Sequence, residues 1–211
     1  MKIFFIGFNK TGTTTYHKSF GKLIRSKHST DWPKKSHSLD DDEFINFFSK
    51  WDCYSDGELC NFKRLNLYFK NSLFILNTRN LYDWIYSRIK HIYRDFPKKA
   101  TGEMATEWHK YDDKFNIIKL WILRRNNYYK EVLNYFKNKN NFIMIDIYSK
   151  NLKYELSNFT GLNIKTIVKS NIRNKELDLV KKFKKDIIKA FELLGIKKED
   201  YNTIEFINYI N

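Results

Sequence analysis

A glycine-rich loop near the start of the chain has the residue types that bind phosphate. The loop begins at Gly7, reads GFNKTGTT, and follows the short apolar run KIFFI. Glycines let a backbone approach an anion closely, and the N–H groups at a helix N-terminus point toward it. The candidate binding residues are Asn9, Lys10, Thr11, Gly12, Thr13 and Thr14. The loop therefore predicts a site for a phosphate group.

This loop differs from that of ordinary nucleoside triphosphatases. It has the G-x-x-x-x-G spacing of a Walker A loop, but Thr13 stands where that motif has its lysine, and Lys10 precedes the second glycine. The apolar run FIMID at 142–146 ends in Asp146, an aspartate that could hold Mg²⁺ in a kinase. A P-loop kinase or NTPase is therefore an alternative, and Thr13 disfavours it.

A second pair of phosphate-binding residue types follows the apolar run SLFILNT at 72–78. Arg79 comes directly after this run, and Ser87 stands eight residues later in a segment with helical spacing. A guanidinium offers phosphate a planar fork, and a hydroxyl two helical turns along can reach the same group. Two phosphate sites suit a ligand that carries phosphates at both ends.

Taken together, the loop and the Arg79 and Ser87 pair resemble the sulfotransferase superfamily. The run Lys10-Thr11-Gly12-Thr13-Thr14 is similar to the family's 5′-phosphosulfate loop, and Arg79 with Ser87 to its 3′-phosphate motif. The resemblance implies transfer of a sulfuryl group from 3′-phosphoadenosine 5′-phosphosulfate (PAPS) to a hydroxyl or amine, which leaves adenosine 3′,5′-bisphosphate. It also implies that Lys10 stabilises the leaving phosphate and that no metal is required.

The resemblance extends less closely to the C-terminal part of the chain. Residues 156–163 (LSNFTGLN) look like the segment before a final nucleotide-binding loop, which implies that Lys169, Asn171 and Arg173 contact the 3′-phosphate. For each of these three residues, an exposed loop position is the alternative interpretation.

The resemblance also implies a general base on the acceptor side, before Arg79. Asp56 is the first candidate and Glu58 the second, with His37 and Asp31 behind them. An ordinary carboxylate is a weak base near neutral pH, so burial or a like charge would have to raise its pKa. Asp56 as the N-cap of a helix is the alternative.

The elements that must position these residues follow an α/β pattern. Apolar runs at 2–6, 72–78 and 141–147 predict parallel strands covered on both faces, and helical patterns follow each of them at 13–25, 81–93 and 150–159. Residues 106–137 predict one or two helices, 174–194 another, and 26–39 a loop over the strand ends. We expect a single domain over residues 1–211, and the resemblance implies a three-layer P-loop-like fold with a central parallel sheet flanked by helices.

Composition limits the partners. The chain carries 39 Lys and Arg against 24 Asp and Glu, a formal charge of +15, which attracts nucleic acid, anionic membranes or small polyanions. Codon bias of an AT-rich genome is an equally good source of the excess. A non-enzymatic nucleic-acid-binding protein is a second alternative, but no helix-turn-helix, RNA-binding or zinc pattern is present, so we predict no specific nucleic-acid partner. The expected acceptor is a carbohydrate, a lipid or a small molecule.

The remaining sequence features concern compartment and packing. Cys53 and Cys60 fit neither a disulfide framework nor a zinc spacing, and no apolar run approaches about 20 residues, so we expect a cytoplasmic protein without a membrane span. Phe8, Tyr82 and Trp84 could stack on adenine, but core packing is the better interpretation.

Overall fold

The computed structural model describes residues 1–95, 103–168 and 181–200, and there the chain is an α/β protein. The strands are β1 (Ile3–Phe5), β2 (Ser26–His28), β3 (Cys53–Ser55), β4 (Leu73–Thr78) and β5 (Phe142–Asp146). The helices of the first half are α1 (Thr13–Phe20), α2 (Trp32–Ser38), α3 (Asp41–Ser49), α4 (Phe62–Tyr68) and α5 (Leu81–Asp95). Those of the second half are α6 (Glu103–Lys110), α7 (Lys114–Phe136), α8 (Leu152–Thr160) and α9 (Lys184–Leu193), before a 3₁₀ turn at Lys198–Asp200.

The strands form one parallel sheet in the order β2-β3-β1-β4-β5. Phe5 pairs with Ile75 on one side of β1, and Phe4 pairs with Tyr54 on the other. The chain leaves β1 toward the β2 edge and leaves β4 toward β5, so the strand order reverses between β1 and β4. Ligands of open α/β sheets bind beyond the carboxyl ends of the strands at such a point. The predicted fold class is confirmed.

The central strand β1 is apolar because both of its faces are covered. On one face Phe5 stacks on Tyr16 of α1 with ring centroids 4.5 Å apart, and on the other Phe4 packs against Trp32 of α2 and Phe48 of α3. All three β1 residues are fully buried. Since each large apolar side chain contributes about 1.5–3 kcal/mol on burial, this short strand is anchored mainly by its side chains.

The prediction of a loop over residues 26–39 is wrong. This segment contains β2, a three-residue edge strand, and α2, which has Pro33 in its first turn. The β2 residues are polar and only half-buried, so β2 lacks the apolar run by which β1, β4 and β5 were predicted. Helix α1 is also shorter than the segment 13–25 that was predicted, because it ends at Phe20 and Gly21 follows as its C-cap.

The other helix predictions agree with the structure where it describes them. Residues 106–137 contain two helices, α6 and α7, with a break after Lys110. The helix predicted over 174–194 corresponds to α9, while residues 174–180 lie outside the described ranges. In the described parts of the chain, no helix is long and apolar enough to cross a membrane.

The chain divides into two compact units. The first comprises residues 1–79 and 131–172 and contains the whole sheet, while the second comprises 80–130 and 173–211. In the second unit Trp108 stacks on Trp121 at 5.5 Å and meets Phe183 edge-on at 5.0 Å, which joins α6 and α7 to the chain before α9. The single domain expected over residues 1–211 stays a prediction.

Candidate functional site

The glycine-rich loop connects β1 to α1 at the carboxyl edge of the sheet. The Gly7 N–H donates to Oδ1 of Asn77 at 2.9 Å. A Cβ atom at Gly7 would lie 2.0 Å from the Asn77 carbonyl oxygen, so no side chain fits there. The loop therefore leaves β1 in direct contact with β4.

Asn77 is the buried residue that shapes the loop. Its Nδ2 donates to the hydroxyl of Thr11, and that hydroxyl donates to the Phe8 carbonyl at 2.5 Å. Asn77 and Thr11 are fully buried, so Thr11 supports the loop from within. The sequence did not single out Asn77 because it lies inside the apolar run of β4, 70 positions from Gly7.

Two residues of the loop have left-handed backbone. Gly12 has φ 95° and precedes α1, whereas Lys10 has φ 66° without being a glycine. Such a conformation costs a side-chain-bearing residue about 1–2 kcal/mol, and residues of this kind cluster at functional sites. The turn leads into the first turn of α1, where Thr13 and Thr14 lie at the positive end of the helix dipole.

Arg79 lies beside this loop. Its Nη1 donates to the Lys10 carbonyl oxygen at 3.4 Å, and its guanidinium lies 5.1 Å from the ring centroid of Tyr148. Tyr148 follows β5 and is 56% exposed. The structure therefore brings the predicted Arg79 and the predicted loop together, and adds an aromatic residue that the sequence did not indicate.

The predicted acidic residues follow β3 and reach the same loop. Glu58 Oε2 accepts a hydrogen bond from the Asn9 N–H at 3.2 Å, while Asp56 is buried with φ 77°. Asp56 does not cap a helix, because the N-cap of α4 is Asn61, whose side chain accepts from the Arg64 N–H at 3.1 Å. Glu58 thus holds the loop, and a role for Asp56 or Glu58 as base stays a prediction.

A histidine that no sequence motif singles out lies next to the loop. His28 Nε2 is 3.3 Å from Oγ1 of Thr14, and His28 Nδ1 is 3.1 Å from Oγ of Ser55. His28 and Ser55 are register partners on β2 and β3. Burial, followed by the positive charge of Lys10, lowers the pKa of His28 below its usual 6.5. Its neighbours are 14 and 27 positions away, so only the fold shows the cluster.

His17 extends this cluster along α1. Its ring stacks on that of His28 with centroids 5.4 Å apart, and its Nδ1 is 2.9 Å from Oγ of Ser26. Burial, then His28 and Lys18, lower the pKa of His17. These lowered pKa values favour the neutral form of both imidazoles at pH 7.

Of the remaining predicted site residues, some lie on other elements and some lie outside the described residues. Ser87 is half-buried on α5, in the second unit. His37 lies on α2, and its Nε2 is 2.9 Å from the Leu59 carbonyl oxygen. Asp31 directly precedes α2 and forms an ion pair with Lys35 at 3.2 Å. Lys169, Asn171 and Arg173 lie outside the described residues.

Two further interpretations can be compared with the structure. Phe8 and Trp84 are at most 1% exposed, which confirms that they pack in the core, whereas Tyr82 is half-buried. Asp146 Oδ1 accepts a hydrogen bond from the Tyr148 N–H at 3.1 Å, so this carboxylate holds the turn after β5. Within residues 1–95, 103–168 and 181–200, no group of three or more His, Cys, Asp and Glu residues is placed to hold a metal.

Comparison with known proteins shows a similarity of fold to solved structures. No family model matches the chain, and no curated protein matches it. Among solved structures, the fold is similar to that of a sulfotransferase from Alicyclobacillus acidocaldarius, with a TM-score of 0.50 over 96% of this chain and 98% of that chain. The two sequences are 12% identical. The fold of the chain is thus similar to a sulfotransferase fold.

Proposed function

We propose that the chain is a PAPS-dependent sulfotransferase, which moves a sulfuryl group to a hydroxyl or amine of a carbohydrate, lipid or small molecule. The proposal is supported by the fold similarity and by a loop whose close backbone approach leaves no room for a side chain at Gly7. It implies that the chain belongs with the sulfotransferases and acts as a transferase.

The contact between Arg79 and the Lys10 carbonyl is the observation that carries the proposal. The 3.4 Å distance places a guanidinium at the strand end beside a loop that already contains an ammonium side chain. A donor with a 5′-phosphosulfate and a 3′-phosphate needs cationic groups of this kind at two points. The same pair is less suited to a triphosphate, for which a lysine at position 13 is expected.

The residues have distinct roles in this proposal. Thr13, Thr14 and the loop N–H groups hold the 5′-phosphate, and Lys10 stabilises the charge that develops on the leaving phosphate oxygen. Arg79 binds the 3′-phosphate, and Ser87 stays a sequence prediction for the same group. When bound, PAPS supplies an activated sulfuryl group, and the protein must orient it and exclude water.

Calorimetric titration with adenosine 3′,5′-bisphosphate tests the donor site. The wild-type chain is expected to bind with a micromolar Kd, while Arg79→Ala and Lys10→Ala each weaken binding at least tenfold, since a charged hydrogen bond contributes about 1.5–3 kcal/mol. Lys63→Ala is the matched control, because it removes the same charge from an exposed lysine that pairs with Glu131 at 2.7 Å. Equal loss in all three variants would show only a response to net charge.

Two other ligands decide between the alternatives in the same experiment. Binding of ATP with magnesium, without binding of the bisphosphate, favours a kinase and contradicts the proposal. Binding of a single-stranded oligonucleotide alone, with steep salt dependence, favours a nucleic-acid-binding protein. Comparison of the three ligands therefore distinguishes the three candidate functions.

A further inference from the structure

The His28 cluster offers a basic nitrogen at the loop that none of the residues predicted from the sequence provides. Its Nε2 lies 3.3 Å from the hydroxyl of Thr14, in the first turn of α1, and its pKa responds to the charge of Lys10. The imidazole thus lies beside Thr14, one of the residues that the proposed function assigns to the 5′-phosphate. His28 enters from the edge strand β2, whereas Asp56 and Glu58 follow β3.

The contacts of His28 are compatible with a neutral ring that carries its proton on Nδ1. The Ser55 hydroxyl lies 3.4 Å from the Lys27 carbonyl oxygen, to which it can donate. When it does so, Ser55 Oγ accepts from His28 Nδ1, which is 3.1 Å away. Nε2 then presents its lone pair to the Thr14 hydroxyl 3.3 Å away.

We propose that His28 is the catalytic base that takes the proton of the sulfuryl acceptor through Nε2. The inference rests on the proposed function and adds the residue that activates its acceptor. As Thr14 turns toward the donor phosphate, Nε2 exchanges the Thr14 hydroxyl for the acceptor hydroxyl. Ser55 then orients the His28 ring through Nδ1, as a third residue commonly orients a catalytic base.

The proton and electron balance of the step is complete. The acceptor oxygen forms a bond to sulfur and gives its proton to Nε2, which makes His28 an imidazolium. The bond between sulfur and the bridging oxygen breaks, and its electron pair stays on the phosphate of the released bisphosphate beside Lys10. His28 then returns its proton to solvent. A ring that is neutral at pH 7 suits this role better than a carboxylate of ordinary pKa.

Nuclear magnetic resonance of the full chain labelled with ¹⁵N-histidine tests the protonation directly. His28, assigned through His28→Asn, is expected to be neutral at pH 7 with its proton on Nδ1. Addition of adenosine 3′,5′-bisphosphate should shift its Nε2 resonance, because Thr14 exchanges partners. A proton on Nε2, or a His28 signal that bound bisphosphate leaves unchanged, overturns the inference.

The rate of sulfuryl transfer to water provides a kinetic test, because it can be measured without knowing the natural acceptor. Release of ³⁵S-sulfate from ³⁵S-labelled PAPS should fall at least 100-fold in His28→Asn and His28→Gln, with the bisphosphate Kd within about threefold of wild type. Asn can keep the Ser55 contact and Gln can reach the Nε2 position, yet neither is a base. Imidazole added to His28→Gly should restore part of the rate, which a purely structural residue would not show.

Control variants separate this inference from the proposed function. His17→Asn removes the stacked neighbour and should leave turnover within about threefold, and Asp56→Asn measures the competing candidate. Normal turnover in His28→Asn with loss in Asp56→Asn assigns the base to Asp56 and overturns the role of His28. Absence of bisphosphate binding in the wild-type chain would instead contradict the donor site itself.

Discussion

At the scale of single residues, Asn77 shows how one amide can define a binding loop. Its Oδ1 accepts from the Gly7 N–H and its Nδ2 donates to the Thr11 hydroxyl, so a single side chain fixes both ends of a five-residue turn. Each partner is buried and would lose its hydrogen bond if the amide were removed. The shape of the loop therefore depends on a residue of β4 that need not touch the ligand.

Asn77→Leu tests this dependence. The substitution keeps the number of side-chain heavy atoms but leaves the buried Gly7 N–H without its acceptor and takes one of its two partners from the Thr11 hydroxyl, so we expect a loss of about 2–4 kcal/mol in the free energy of unfolding. Urea denaturation measures it. Thr78→Val is the control, because it removes one buried hydroxyl, which donates to the Ile145 carbonyl at 2.8 Å, without touching the loop. A loss in Asn77→Leu no larger than in Thr78→Val would contradict the role of Asn77.

Tyr148 gives a second residue-scale prediction. Its ring lies 5.1 Å from the Arg79 guanidinium, and an exposed cation–π contact contributes about 0.5–1 kcal/mol. We expect Tyr148→Ala to weaken bisphosphate binding about two- to fivefold, whereas Tyr148→Phe keeps the ring and the affinity. Tyr154→Ala, which removes a tyrosine that is 67% exposed on α8, is the calorimetric control. An unchanged Kd in Tyr148→Ala would mean that Arg79 needs no support from the ring.

The sequence identified those site residues whose neighbours along the chain carry the signal. Lys10 lies in a recognisable loop, and Arg79 follows a strand directly, so adjacent residues were enough to select both. His28 and Asn77 carry no such local signal. The contacts of His28 to Thr14 and Ser55 cross three elements, and they exist only because β2 and β3 pair in register.

At the scale of elements, a strand could be recognised where it forms an apolar run, whether it is fully buried like β1 or mostly half-buried like β5. β1 and β4 are apolar because both faces of each are covered, so their runs could be recognised. β2 is a half-buried edge strand with the sequence SKH, and β3 is the buried three-residue strand CYS, too short to show a pattern. The sheet class could therefore be predicted from the sequence, but the strands that supply His28 and Ser55 could not.

The turn between β1 and α1 has a geometric requirement that a mutation can test. Gly12 has φ 95°, and a Cβ there would lie 2.5 Å from Cδ1 of Ile147, so Gly12→Ala combines backbone strain with a clash. Gly161→Ala is a matched control, since Gly161 has φ 68° with no atom within 4 Å of the added carbon.

We expect Gly161→Ala to lower the free energy of unfolding by about 1–2 kcal/mol through strain alone. Gly12→Ala should lower it further and also weaken bisphosphate binding, because the loop and the Ile147 side chain must move apart. Thermal denaturation and calorimetry of the two variants measure the difference. If Gly12→Ala matches Gly161→Ala in stability and binds normally, the close approach to Ile147 does not shape the site.

The stacked histidines join α1 to β2 and make this region sensitive to acid. Burial lowers the pKa of both His17 and His28, so below about pH 6.5 the unfolded chain binds protons that the folded chain does not. Their stabilising contribution is complete above that pH and declines as the pH falls through the lower folded pKa values. The charges facing the two rings are Lys10 and Lys18.

We expect the free energy of unfolding to fall between pH 7 and pH 5, and to fall less in the double variant His17→Asn with His28→Asn. Urea titrations at several pH values measure both slopes. Carboxylates titrate mainly below this window, so they contribute little to the comparison. Parallel slopes for the wild type and the double variant would show that other groups cause the acid sensitivity.

At the scale of the whole molecule, the formal charge of +15 has two competing explanations. If codon bias produced it, the charge is incidental to ligand capture. If it serves a polyanionic donor, the field over the surface speeds encounter with adenosine 3′,5′-bisphosphate and acts mainly on the association rate. Stopped-flow binding at different salt concentrations separates these cases. Salt screens long-range attraction, because the Debye length shortens from about 10 Å at 0.1 M to about 3 Å at 1 M.

We expect the association rate constant to fall on the order of tenfold between 50 mM and 500 mM NaCl, with a much smaller change in dissociation. Replacing the exposed Lys50, Lys70 and Lys153 with Glu alters the field without touching the loop, and should slow association at low salt but not at high salt. The same positions changed to Gln should give about half the effect on the logarithm of the rate. The opposite result is an association rate constant that is unchanged in these variants, together with a dissociation rate constant that depends on salt. In that case the electrostatic contribution to binding would come from Lys10 and Arg79, and the excess charge would have no part in donor capture.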